Sequence, residues 1–131
     1  MIKAVAHIGI RVHDVERSIA FYAVLGFRKT AGPLGDDRVT ILESDTGVEI
    51  NLIPNAPAVS EPNVLMDVPV KHAGITHVAL LVDDLEAARA TVEAAGIALS
   101  GGPVQFTPTS RAFFVRDPDR TVIEIHESIA R

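Results

Sequence analysis

The chain of 131 residues has no cysteine. This excludes disulfides, thiolate metal ligands and a cysteine nucleophile together, leaving His, carboxylate, amide oxygen and water for any metal. Tryptophan is also absent and aromatic residues make up 5%, so Val, Ile, Leu and Ala must build the core. A net charge of −5 and the lack of a Lys/Arg run exclude attraction to phosphate backbones or anionic lipid. Neither nucleic acid nor membrane is therefore an expected partner. No apolar run approaches membrane-spanning length, and the opening "MIKAVAHIG" lacks the apolar centre of a secretion signal. A cytoplasmic protein is expected. With 47% apolar and 22% charged residues, the composition is that of a globular chain, one compact domain or two half-domains.

What the sequence has is a repeat. "HIGIRVHDVERSIAFYAVLGF" (7–27) and "HVALLVDDLEAARATVEAAGI" (77–97) superpose with an offset of 70 residues. The offset puts His7 on His77, Asp14 on Asp84 and Gly26 on Gly96. Each half opens with a strand, over 4–12 and 75–82, where apolar residues alternate. Asp14 or Asp84 then suits a helix N-cap, and Gly26 or Gly96 suits the left-handed residue that ends the helix. Val15, Ile19, Tyr22 and Leu25 form one helical stripe, and Leu85, Ala88, Val92 and Ala95 the other. Extended segments follow over 27–30, 39–42 and 48–53, and again over 97–99, 112–116 and 122–126. Each half thus reads β-α-β-β-β: a first module over 1–53 and a second over 74–131. Residues 54–73, with four of the eight prolines, read as an extended connector.

The closing strands align best with an offset of 73, which matches Ile50-Asn51-Leu52 to Ile123-Glu124-Ile125 and Gly47 to Arg120. Asn51 and Glu124 then occupy equivalent places, as His7 and His77 do. Strand alternation turns Ile50, Leu52, Ile123 and Ile125 towards the helices and Asn51 and Glu124 to the opposite face. A lone strand histidine is ordinarily a satisfied core residue. Two at equivalent positions, with a carboxylate and an amide oxygen at two more, make a ligand set for a divalent cation.

These stretches, together with "FFVRDPDRTVIEIHE" (113–127), resemble the vicinal-oxygen-chelate superfamily. It includes glyoxalase I, methylmalonyl-CoA epimerase, extradiol dioxygenases, fosfomycin-modifying enzymes and bleomycin-resistance proteins. The resemblance implies an α+β fold of two paired βαβββ modules forming an open cup-shaped mixed sheet with helices outside. It also implies a homodimer, with the cup closed within one chain or between two. It implies one divalent metal (Zn, Ni, Co, Mn or Fe) held by His7, His77 and Glu124, with Asn51 at the position where glyoxalase I has glutamate. Arg120, where many relatives have glycine, is a second departure.

By the same resemblance Glu124 can move a proton by loosening from the metal. Glu49, two residues before Asn51 on the same strand face, is the other candidate base. Arg111 is the candidate anchor for an anionic group of a small-molecule substrate. His126, sharing the face of Glu124, reads as an exposed strand-end residue or as a partner of that carboxylate. The expected activity is that of a lyase or isomerase on a small carbonyl or thioester. The alternatives are an Fe(II) extradiol-type dioxygenase, a fosfomycin-type thiol transferase and a metal-free drug-binding protein.

Overall fold

The computed structural model describes residues 1–58 and 61–129. Its contacts divide the chain into two units, Met1–Ser60 and Glu61–Arg131. The first unit contains β1 (Ile8–Arg11), α1 (Val15–Val24), β2 (Arg28–Leu34), β3 (Val39–Glu43) and β4 (Glu49–Ile53). The second contains β5 (His77–Leu81), α2 (Leu85–Ala94), β6 (Gly101–Thr107), β7 (Ser110–Arg116) and β8 (Val122–Ser128). Each is one mixed four-stranded sheet, of order β1-β4-β3-β2 or β5-β8-β7-β6. In both, the first strand pairs in parallel with the last and the other pairings are antiparallel.

The repeat extends to single hydrogen bonds. The Asp14 carboxylate accepts from Arg17 N at 3.1 Å and that of Asp84 from Ala87 N at 3.0 Å, each satisfying an orphan donor of the first turn. At the other end Phe27 N reaches Tyr22 O and Gly26 N reaches Ala23 O, while Ile97 N reaches Val92 O and Gly96 N reaches Glu93 O. Gly26 and Gly96 hold φ of 96° and 80°, the left-handed residue such a terminus needs. The turns before the closing strands match too. Ser44 N bonds Val48 O and Gly47 N bonds Ser44 O, as Asp117 N bonds Thr121 O and Arg120 N bonds Asp117 O. Gly47 and Arg120 both have positive φ, 88° and 68°. The change of offset from 70 to 73 arises in the hairpin. Four residues separate the paired Leu34 and Val39, and seven separate the paired Val104 and Ala112.

The first unit buries Ile10, Val12, Phe21, Tyr22, Phe27, Leu42, Ile50 and Leu52. Tyr22 stands edge-on to Phe21 and Phe27, with ring centroids 5.0 and 6.1 Å away. The second buries Leu85 and Val92 with Phe113, Val115, Ile123 and Ile125. Ala95, expected on the α2 stripe, is the helix C-cap and is exposed.

One expectation needs correction. The first extended segment after the second helix is not 97–99 but Gly101–Thr107, which carries a glycine-proline pair. The matching strand β2 carries Gly32-Pro33 in the same way. Proline is tolerated because both strands lie at a sheet edge, and the register shifts beside each pair. Residues 54–73, expected as a connector, hold no helix or strand among the described residues, and the part from Glu61 onward is hydrogen-bonded within the second unit. Asn63 Nδ2 donates to Arg120 O at 3.0 Å, Arg120 donates to Glu61 O, and Arg116 grips Asp67 with two hydrogen bonds of 2.7 and 2.8 Å. Residues 59 and 60, within the connector, and 130 and 131, at the end of the second module, lie outside the described residues.

Candidate functional site

In the second unit, alternation along β8 sends Ile123 and Ile125 into the core against α2 and Glu124 and His126 to the other face. The parallel register sets Ala79 beside Glu124 and Leu81 beside His126. On the antiparallel side Phe114 faces Glu124 and Ala112 faces His126. His77, at the start of β5, brings Nε2 to 3.3 Å from Glu124 Oε1. The other oxygen, Oε2, lies 2.8 Å from His126 Nδ1. Glu124 is 7% exposed. Its burial is tolerable because each carboxylate oxygen meets a ring nitrogen. His77 is itself tethered, with Nδ1 2.8 Å from Thr76 Oγ1. The ring of Phe114 stands edge-on to that of His77, and Phe106 stands edge-on to Phe114.

In the first unit the equivalent face is built on β4. Gly9 pairs with Asn51, and His7 Nδ1 lies 3.6 Å from Glu49 Oε2. That separation is an ion-pair distance rather than a hydrogen bond. Asn51 Oδ1 is buried and has no hydrogen-bond partner among the described residues. An orphaned buried amide oxygen costs about 1–3 kcal/mol, an unusual expense in a core with apolar alternatives.

The donors of the second unit suit a metal in two respects. Two ligands each about 2.0–2.2 Å from one ion sit roughly 3.0–3.5 Å apart, the range in which Nε2 of His77 and Oε1 of Glu124 fall. A second hydrogen bond on each ligand, given by the His77 ring to Thr76 and received by Glu124 from His126, is the usual support of a ligating imidazole or carboxylate. Among the described residues, no group of three or more His or acidic side chains converges as a ready metal cluster. Each half presents a pair.

Arg111 does not join this face. It lies in β7 on the helix side, opposite Glu127 in the register, and its Nε is 2.6 Å from Glu127 Oε2. Glu127 Oε1 accepts from Leu85 N, the first residue of α2, at 3.0 Å. The guanidinium therefore ties β7 and β8 to a helix start. His126, read from sequence chiefly as exposed, is half-buried and bonded. Glu49 shares a face with Asn51 as expected and has His7 as its neighbour.

The Arg111–Glu127 contact sets an acid limit. Hydrogen bonding from Arg111, then from Leu85 N–H, holds the Glu127 carboxyl below the usual glutamate value of 4.5, against the opposing effect of burial. Arg116 holds Asp67 below 3.8 in the same way. A folded value below the unfolded one stabilises fully above the unfolded value and is lost as pH falls through the folded one. The melting temperature should therefore be flat near neutrality and fall once pH drops below 4.5. Glu127→Gln should melt lower at pH 7 and show a shallower acid decline; parallel curves for the two proteins would refute the assignment.

The sequence profile of the glyoxalase/bleomycin resistance protein/dioxygenase superfamily matches residues 4–125. No functionally curated protein matches the sequence. Among solved structures, a glyoxalase/dioxygenase from Nostoc punctiforme is similar at 26% identity and a TM-score of 0.75, covering 98% of this chain and 92% of its own. A glyoxalase family protein from Bacillus cereus shares the fold at 16% identity and a TM-score of 0.74, over 99% of this chain and 97% of its own. An antibiotic binding protein from Streptomyces sp. CB03234 does so at 24% identity and a TM-score of 0.74, over 97% of both chains. With a profile match over nearly all its length and the βαβββ repeat in both halves, the chain belongs to the glyoxalase/bleomycin resistance protein/dioxygenase superfamily.

Proposed function

We propose that this protein is a divalent-metal-dependent lyase or isomerase that moves a proton on a small carbonyl or thioester substrate. The observation that carries the reading is the His77–Glu124 pair, a ring nitrogen and a buried carboxylate oxygen 3.3 Å apart. His77 Nε2 and Glu124 Oε1 are the proposed donors of the second module, and His7 and the unpartnered Asn51 Oδ1 are their counterparts in the first. The bound ion (Zn, Ni, Co, Mn or Fe) would supply Lewis acidity towards the substrate's oxygens.

The chain's own carboxylates do the proton transfer. Glu124 can accept a substrate proton on Oε1 once that oxygen is released from holding the ion, and Glu49 Oε2, beside His7 Nδ1, is the second acceptor. Phe114 and Phe106 give the face around His77 an apolar flank. A homodimer is the proposed assembly. A dioxygenase is the second reading, favoured by the name of the Nostoc relative. Oxygen uptake dependent on Fe²⁺ distinguishes it from proton transfer.

The test is elemental analysis of protein purified without added metal and again after reconstitution, with His77→Ala as control. Near-stoichiometric divalent metal in the wild type, lost in the variant, supports the proposal. Absence of metal from both wild-type preparations overturns it and leaves the binding-protein reading.

A further inference from the structure

We infer that His126 is a positioning residue that holds Glu124 in its ligating orientation by occupying the carboxylate oxygen turned away from His77. The inference rests on the metal-site reading above and adds a residue to it. Glu124 has two oxygens with different surroundings: Oε1 lies 3.3 Å from His77 Nε2, and Oε2 lies 2.8 Å from His126 Nδ1. An ionised carboxylate only accepts hydrogen bonds, so Nδ1 of His126 carries the proton in this contact. One such bond fixes the carboxylate plane, and with it the direction in which Oε1 points.

Neither residue paired directly with Glu124 across the sheet can do this. Glu124 is flanked by Ala79 on β5 and Phe114 on β7, neither with a polar side chain. His126 is flanked in turn by Leu81 and Ala112. Strand alternation brings the imidazole over the carboxylate two residues earlier, and its side chain is only 26% exposed.

The repeat supplies an internal comparison. With the 73-residue offset of the closing strands, Asn51 is the counterpart of Glu124 and Ile53 the counterpart of His126. Where isoleucine stands, the amide oxygen of Asn51 has no hydrogen-bond partner among the described residues. Where histidine stands, the oxygen is held. The two halves fold alike, so the difference lies in the side chains, Asn for Glu and Ile for His, and not in the backbone that presents them.

The test is cobalt binding, followed by the visible absorption of bound Co²⁺ and by competition with a chromophoric chelator. Wild type is compared with His126→Phe, which keeps the bulk of the ring without a donor, with His126→Ala, and with His126→Asn, whose amide N–H can reach the same oxygen. The donorless variants should bind Co²⁺ about 10–100-fold more weakly, the usual effect of losing a hydrogen bond on a ligand. Their cobalt absorption bands should shift, because a differently oriented carboxylate changes the field at the ion. His126→Asn should recover the affinity to within about threefold and restore the wild-type bands.

Thermal melting of the metal-free proteins separates loss of binding from loss of fold. Unchanged affinity in both donorless variants overturns the inference while leaving the metal site standing. So does a folded His126→Asn that binds as weakly as His126→Phe. A wild type that binds no cobalt overturns the metal reading and this role together.

Discussion

Glu124→Ala should lower divalent-metal affinity by more than about 100-fold, beyond the range for loss of a supporting hydrogen bond, because it removes a ligand itself. Glu49→Ala should change it by a few-fold at most. The contrast follows from where the two carboxylates stand. Glu124 is nearly buried and bracketed by two imidazoles, whereas the Glu49 side chain is 27% exposed and lies 3.6 Å from His7. Glu49 is the less buried of the two and has one ion-pair neighbour rather than two close ring nitrogens, so its contribution to holding an ion is smaller.

Glu124→Ala should nevertheless melt near the wild-type temperature without metal. Removing a buried carboxylate is costly when its partners are stranded from water, but the His77 and His126 side chains are 37% and 26% exposed and can turn to solvent. Cobalt titration beside a melting curve checks both halves of this prediction. A loss of metal in Glu49→Ala equal to that in Glu124→Ala would transfer the acidic ligand to β4.

The repeat made most of the fold legible in the sequence, because caps and turns reuse the same chemistry in both halves. Asp14 and Asp84, Gly26 and Gly96, and the shift to a 73-residue offset all have direct structural counterparts. The same reliance on repetition hid part of the candidate site. Thr76 has Ala6 as its counterpart and His126 has Ile53, so repetition points to neither; His126 was legible only from sharing the strand face of Glu124, and Thr76 not at all.

The side of the sheet on which Arg111 lies was illegible for a different reason. Ala112, Phe113, Phe114 and Val115 are apolar without alternation, so the run does not say which residues face the helix. Only the pairing of Arg111 with Glu127 settles that, and pairing register is a property of two strands. Arg111 also lies in the hairpin extension, seven residues where the first half has four, and so has no repeat partner to correct the reading.

The β6 boundary was missed because Gly101-Gly102-Pro103 has the composition of a turn, yet it begins an edge strand. Those glycines carry the largest expected stability effect. Gly32 and Gly102, equivalent in the repeat, have φ of 114° and 76°. A Cβ at Gly32 would stand 2.5 Å from Val39 O and 2.7 Å from Thr40 Cα. At Gly102 it would stand 2.8 Å from Ala112 O and 3.0 Å from Phe113 Cα. Backbone atoms of a paired strand cannot move aside as a side-chain tip can. Alanine at either position thus meets a conformational cost of about 1–2 kcal/mol and an overpacking cost of about 1–3 kcal/mol.

Gly26 and Gly96 isolate the first of these costs, since φ is positive there but nothing lies within 4 Å of the added carbon. Gly26→Ala and Gly96→Ala should each lose only about 1 kcal/mol, and Gly32→Ala and Gly102→Ala several times that, on the order of 3 kcal/mol. Urea denaturation midpoints at constant slope measure the difference. Equal losses in the two pairs would mean that the edge strands shift to admit a methyl group. In that case the close approach of β2 to β3, and of β6 to β7, is not what these glycines are there to permit.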